Sequence, residues 1–279
     1  MTIQVAVMNG YGLAMASDRH VFRGGDVRST GQDIKLLRLR GAVPAAMMAS
    51  GPFAVFGIPV SRLALRLERA LTAVDPVAGP EALGQAILAA LDLPIEGAGA
   101  SASPELQPAD ATSRAPAGEL YLTVGLVCPH AGVPVLVSVR MTQGPDKRLR
   151  ATSRLDADFE VSWRAGRTVV VAQGSGRALV EAMVDGLGDD HWQTLDPAAR
   201  DRLRPGMDGR WDRAHERLGV ASPRELAAIA TGLVRGAEVI GFLTRESEGT
   251  VAEIDCLCLT PREVIATGLD AGPALRVAA

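Results

Sequence analysis

The order of strand and helix signals points to an α+β protein, a four-layer αββα sandwich of two mainly antiparallel sheets covered by helices. Three observations carry this reading. Four strand-like segments precede any helix. A helix pair, four further strands, one or more helices and two closing strands follow, without the β–α–β alternation that builds a parallel doubly wound sheet. The chain of 279 residues, 47% hydrophobic and 22% charged, has globular composition and enough length to bury a core without metals or disulfides. No repeat or composition shift marks a second domain, so residues 1–279 are expected to form one.

Residues 3–8 are rich in Val and Ile and read as a strand. Asn9-Gly10 is a tight-hairpin signal, and residues 13–17 return as the second strand, ending at Asp18-Arg19. Residues 35–40 alternate and give a third strand, and the small residues 44–49 a fourth, closed by Ser50-Gly51. Phe56, Val60, Leu63, Leu67, Leu71 and Val74 recur at helical spacing and mark the first helix, with Arg62, Arg66 and Arg69 off the stripe. Pro80 opens a second helix over 80–92.

Residues 93–118 are rich in Gly, Ala, Ser and Pro without periodicity, and are expected to be a flexible insertion. Strands resume at 119–127, 133–141, 158–164 and 167–173. Gly174-Ser175-Gly176 leads into a helix with Val180, Met183, Val184 and Leu187 on one face. Residues 186–220 are polar and suggest short helices. Ser222-Pro223 then starts a helix with Leu226, Ile229, Leu233, Ala237 and Ile240 as its apolar stripe. Strands at 250–259 and about 262–268 close the chain.

Composition narrows the function classes. A net charge of −3 leaves no basic field for nucleic acid or an anionic membrane, and 4% aromatics disfavour base stacking. Three cysteines fit a reducing, cytoplasmic setting rather than a disulfide framework. No run reaches the roughly 18 apolar residues of a membrane span. The start lacks a basic leader and its apolar run breaks at Asn9-Gly10, so the mature N-terminus is expected at the start of the chain.

The chemistry begins at Met1-Thr2. Methionine before a small residue is normally trimmed, which would leave Thr2 terminal. A terminal threonine carries a hydroxyl beside an α-amine whose ordinary pKa is about 8, so the amine can take the hydroxyl proton near neutrality. Asp18 ends the strand that a hairpin lays beside the first. Lys35 opens the third strand and is one of only two lysines, against 27 arginines. A chain that uses arginine wherever a positive charge suffices places lysine where a compact, pKa-adjustable ammonium is wanted. Asp18 would hold Lys35, and Lys35 would lower the pKa of the hydroxyl.

These residues resemble the β-type subunits of the proteasome and their bacterial relatives, which are N-terminal nucleophile (Ntn) hydrolases. The matching opening is TIQVAVMNGYGLAMASDR, in which Thr2 and Asp18 are sixteen residues apart, as in the family. Lys35 follows seventeen residues after Asp18, one more than in the family. MMASGPFAVFG resembles the family strand and turn that precede the first long helix, and there Gly51 matches the glycine whose N–H forms the oxyanion hole. Gly174-Ser175-Gly176 is similar to the family's Gly-Ser-Gly, and Ser247-Glu248-Gly249 to its Ser-Gly-Gly. Thr244, with Glu246 nearby, stands where the family has an aspartate. Phe56-Gly57-Ile58-Pro59 is similar to a stretch in uncharacterised bacterial proteasome-related proteins.

The resemblance implies a threonine-type peptidase or amidohydrolase that cleaves peptide or other amide bonds through an acyl-enzyme. Thr2 would be the nucleophile and its amine the base, Asp18 and Lys35 would tune it, Gly51 would donate to the oxyanion, and Ser175 and Ser247 would steady the amine. It implies a peptide or amide substrate, a homo-oligomer, and no metal or organic cofactor. The alternatives are a non-catalytic structural or scaffold subunit, which Thr244 favours, and an acylase for small amides.

Other candidates have plainer readings. Cys256 and Cys258 share one strand face and read as core thiols. His20, His130, His191 and His215 show no ligand spacing. The sequence has no nucleophile elbow, P-loop or dinucleotide fingerprint. The Arg62, Arg66 and Arg69 stripe reads as a solvated or subunit-contact face.

Overall fold

The structure, a computed structural model, describes residues 3–19, 21–23, 26–28, 35–51, 54–55, 58–75, 77–94, 120–143, 148–153, 168–174, 176–185, 197, 216–243 and 253–266. Thr2, Ser175, Thr244 and Ser247 lie outside the described residues, as do Phe56-Gly57, His20, His191, His215, the strand expected at 158–164 and most of the segments 93–118 and 186–220.

In chain order the strands are β1 (Gln4–Asn9), β2 (Gly12–Asp18), β3 (Val21–Arg23), β4 (Asp26–Arg28), β5 (Leu36–Leu39), β6 (Ala45–Ser50), β7 (Ala54–Val55), β8 (Ile58–Pro59), β9 (Leu93–Pro94), β10 (Leu120–Val127), β11 (Pro134–Gln143), β12 (Arg148–Ser153), β13 (Val169–Gln173), β14 (Ile254–Leu259) and β15 (Val264–Ala266). The helices are α1 (Val60–Ala73), α2 (Pro80–Leu91), α3 (Arg177–Asp185) and α4 (Pro223–Leu243). Sheet I has the order β13-β1-β2-β14-β15, and sheet II the order β5-β6-β10-β11-β12-β9. Every pairing in both sheets is antiparallel, so the chain has mixed α and β content built on two antiparallel sheets.

Strand alternation explains why β1 and β2 are buried along their whole length. Val5, Val7, Ala14 and Ala16 lie on one face of sheet I and pack with Val180 of α3 and Leu226, Ala230 and Val234 of α4. Ala6, Met8, Leu13 and Met15 lie on the other face and pack with Ala46, Met48 and Leu136 of sheet II. The far face of sheet II packs on Leu63, Leu67, Leu71, Leu83 and Ile87 of α1 and α2 through Met47, Leu122, Val124 and Val139. The two sheets approach so closely that a Cβ at Gly125 of β10 would collide with Leu13 and Met15 of β2.

The turn after β1 differs by one residue from the expected Asn9-Gly10. Asn9 pairs with Gly12, so Gly10 and Tyr11 form the turn. The reason is the Asn9 side chain. Its Oδ1 accepts from the Tyr11 and Gly12 amides at 2.9 and 3.2 Å, while its Nδ2 donates to the Leu218 and Ala221 carbonyls at 2.8 and 2.7 Å. One buried amide thus closes the hairpin and fixes the approach to α4. That helix is capped reciprocally. The Glu225 carboxylate accepts from the Ser222 amide at 2.8 Å, and the Glu225 amide lies 3.4 Å from Ser222 Oγ.

Three further expectations change. Helix α1 starts at Val60 rather than Phe56, because Ile58-Pro59 is extended and pairs with Ala54-Val55. Residues 148–153 form a strand beside β11, which their arginine content concealed. Residues 21–23 and 26–28, where no strand was expected, pair antiparallel as β3 and β4. Among the described residues no helix is long and apolar enough to cross a membrane.

Candidate active site

Asp18 is the last residue of β2. It pairs with Ile254 of β14 and lies on the sheet I face that carries Ala14 and Ala16. The residue is 1% exposed. Oδ1 accepts from the Ile3 backbone N–H at 2.8 Å, and the Asp18 amide donates to the Ile3 carbonyl at 3.1 Å. The residue that follows Thr2 is therefore fixed to Asp18 through both of its peptide groups.

Lys35 enters from the other sheet. It immediately precedes β5, and its carbonyl accepts from the Ala49 amide of β6 at 3.0 Å. Its Nζ lies 3.1 and 3.0 Å from the two Asp18 oxygens, and the residue is 8% exposed. Burial pushes the Lys35 ammonium below the ordinary lysine value of 10.5, while the charges of Asp18 and Glu238 oppose that shift. Asp18 thus joins Ile3 to the Lys35 ammonium.

Gln4 sets the two sheets in register at this end. Its Nε2 donates to the Ala49 carbonyl at 2.8 Å, so β1 is tied to β6 at the residue that also bonds Lys35. Gly51 lies two residues beyond Ala49, roughly 7 Å along an extended chain. Its φ of 125° is a conformation that favours glycine. The Gly51 turn is therefore at the Lys35 end of sheet II.

Gly176 also lies against Ile3 near the chain start. Gly174 has a φ of 86°, and a Cβ at Gly176 would press into the Ile3 side chain. The amides of Leu179 and Val180 both bond the Gly176 carbonyl at 3.2 Å, so α3 begins against Ile3. Of the six residues singled out in sequence, Asp18, Lys35 and Gly51 are thus at one end of the two sheets. Thr2, Ser175 and Ser247 lie outside the described residues, but Ile3 and Gly176, which adjoin the first two, meet there.

One residue of this corner was not singled out in sequence. Glu238 of α4 is 7% exposed, on the helix face that carries Thr231, Val234 and Ala237, and its charge acts on Lys35. The signal was present in the spacing. Leu226, Ala230, Val234 and Ala237 repeat every three or four residues, and Glu238 lies four beyond Val234, but a stripe drawn through Ile229 and Leu233 as well passes over it.

Cys256 and Cys258 are core thiols packed against α4. Their Sγ atoms lie 3.8 Å from the Ala227 carbonyl and 3.1 Å from the Pro223 carbonyl. Burial, with Cys256 and Glu263 nearby, pushes the Cys258 thiol up to about 12. Arg66 of the expected arginine stripe is half-buried and donates to the Ala90 carbonyl at 3.1 Å, capping α2; Arg62 and Arg69 are exposed.

No protein-family model matches the chain. No curated protein matches it.

Proposed function

We propose that the chain is a proteasome-like N-terminal threonine hydrolase, with a four-layer αββα Ntn arrangement, that cleaves peptide or other amide bonds through an acyl-enzyme. The observation that carries this reading is the Asp18 carboxylate, shared in a buried corner by the Lys35 ammonium and the N–H of Ile3. A charged pair is costly to bury. Here it is buried beside the residue that follows Thr2, where a cation would lower the pKa of a hydroxyl nucleophile.

In this mechanism Met1 is removed and the α-amine of Thr2 becomes free. Thr2 Oγ1 attacks the substrate carbonyl carbon and its proton passes to the α-amine. The oxyanion is met by the Gly51 N–H. The tetrahedral adduct collapses, the C–N bond breaks, and the leaving amine departs with the proton held by the α-amine. Water then attacks the ester carbonyl while the α-amine takes its proton; the adduct collapses, the C–Oγ1 bond breaks, the acid leaves, and the α-amine returns the proton to Thr2 Oγ1. Ser175 and Ser247 steady the amine. The working form is a cytoplasmic homo-oligomer.

Intact mass before and after treatment with an electrophile directed at terminal threonine tests this. Loss of Met1, followed by one adduct that Thr2→Ala abolishes, supports the reading. Retained Met1 or an unlabelled mature chain contradicts it and favours the second reading, a non-catalytic structural subunit, to which Thr244 in place of the family aspartate points.

A further inference from the structure

We propose that Glu238 is a second acidic positioning residue of the corner: with Asp18 it holds Lys35 in its ammonium form.

Two independent observations place Glu238 there. The first is the course of α4 over sheet I. Cys258 meets the Pro223 carbonyl and Cys256 meets Ala227, one helical turn later. Cys258, Cys256 and Ile254 pair in turn with Ala14, Ala16 and Asp18, so the helix runs toward the Asp18 end of β2. Pro223 also abuts Gly12 at the start of β2, and from Pro223 to Glu238 the helix advances about 22 Å, close to the roughly 20 Å from Gly12 to Asp18. The last turns of α4 therefore extend to the strand end where Ile3, Asp18 and Lys35 meet. The second is burial. Glu238 is on the helix face turned to the sheet, among Val234 and Ala237, where a carboxylate is held only by strong electrostatic compensation.

Among the described residues, the other charged groups on the elements around Lys35 are exposed, half-buried or engaged elsewhere. On β14 and just before it, Asp255 and Glu253 are ion-paired with Arg19. Strand β6 carries no titratable side chain. On α1, Glu68 accepts from the Arg40 amide. On β5, Arg38 is exposed, and on α4, Arg235 is half-buried one turn before Glu238. Among the described residues, Asp18 and Glu238 are the anions whose charges raise the Lys35 value against its burial. Within the proposed hydrolase, on which only this consequence rests, a charged Lys35 is what lowers the nucleophile's pKa, and Glu238 extends the pH range over which that charge persists.

The presence of only two lysines makes the test direct. Protein carrying [ε-¹³C]lysine gives two side-chain signals, and Lys147→Arg assigns them. The Lys35 titration midpoint is expected to move to lower pH by a few tenths of a unit or more in Glu238→Gln, and to stay near wild type in Glu238→Asp, which keeps the charge. An unmoved midpoint in a folded Glu238→Gln overturns the proposal. If Glu238→Gln does not fold, Glu238→Leu, which replaces the buried carboxylate with an apolar group of similar size, reads the same shift, and an unmoved midpoint there overturns the proposal. This readout needs no activity, so it stands apart from the hydrolase reading. Where Thr2 is labelled by the electrophile, the alkaline limb of the labelling rate moves the same way in Glu238→Gln, which a purely structural role would not cause.

Discussion

Lys35 and Asp18 form a buried ion pair that joins the two sheets: Nζ lies 3.1 and 3.0 Å from the carboxylate oxygens, with side chains 7% and 0% exposed. The pair binds the last residue of β2 to the residue that opens β5. It therefore serves the packing of the sheets as well as the chemistry proposed at the chain start.

Removing one partner should be costly. Asp18→Ala takes the carboxylate from a buried ammonium and from the Ile3 N–H, an expected loss of about 3–5 kcal/mol in urea unfolding. The double variant Asp18→Leu/Lys35→Met should recover much of it, because an apolar pair of similar size needs no solvation. Single losses below about 1 kcal/mol, the range of an exposed pair, would show that the pair is not buried as described.

Stability should respond to alkaline pH through Lys35. Its folded value lies below 10.5, so between that lowered value and 10.5 the unfolded chain binds more protons. The Lys35 contribution to stability therefore rises with pH across that window, and below it the cost of burying the ammonium is constant. Urea midpoints of wild type and Lys35→Met, compared from neutral pH upward, should diverge with wild type gaining. Parallel curves, or a relative loss in wild type, would contradict the direction of the shift.

The thiols should be inert in the native state. Cys128, Cys256 and Cys258 are all buried, and the Cys258 thiol is pushed up to about 12. A thiol reagent at mildly alkaline pH should modify none of them until denaturant is added, then all three. Rapid modification of native Cys258 would sink this description of the β14–α4 packing.

Asn9 should matter more than an ordinary turn residue. Its amide donates to two carbonyls and accepts from two amides, all near the base of α4. Asn9→Ala leaves those groups without their partner, for an expected cost of about 2–3 kcal/mol by thermal or urea unfolding. A cost near zero would mean that the hairpin closes by other means.

Much of this arrangement was legible in the sequence. The near-continuous apolar runs at residues 3–8 and 13–17 marked β1 and β2, because both faces of sheet I are covered, which leaves little freedom of register. The rarity of lysine drew attention to Lys35, and the hairpin drew it to Asp18. The misreadings have local causes. A proline in an extended pair displaced the start of α1, and a side-chain amide displaced the turn by one residue. On α4, small residues permit the closest approach to sheet I, so Ala227, Ala230 and Ala237 are buried while Ile229 and Leu233 line an apolar groove of about 580 Å³ with Met183. The expected stripe combined Leu226 and Ala237 of the buried face with Ile229, Leu233 and Ile240 beside it, and so passed over Glu238.

The most direct measurement is the intact mass of the purified chain before and after exposure to the threonine-directed electrophile, with Thr2→Ala in parallel. The expected result is a mass lacking Met1 and a single adduct that the variant fails to form. A mature chain that remains unmodified, or an adduct that persists in Thr2→Ala, would contradict a nucleophile at the chain start.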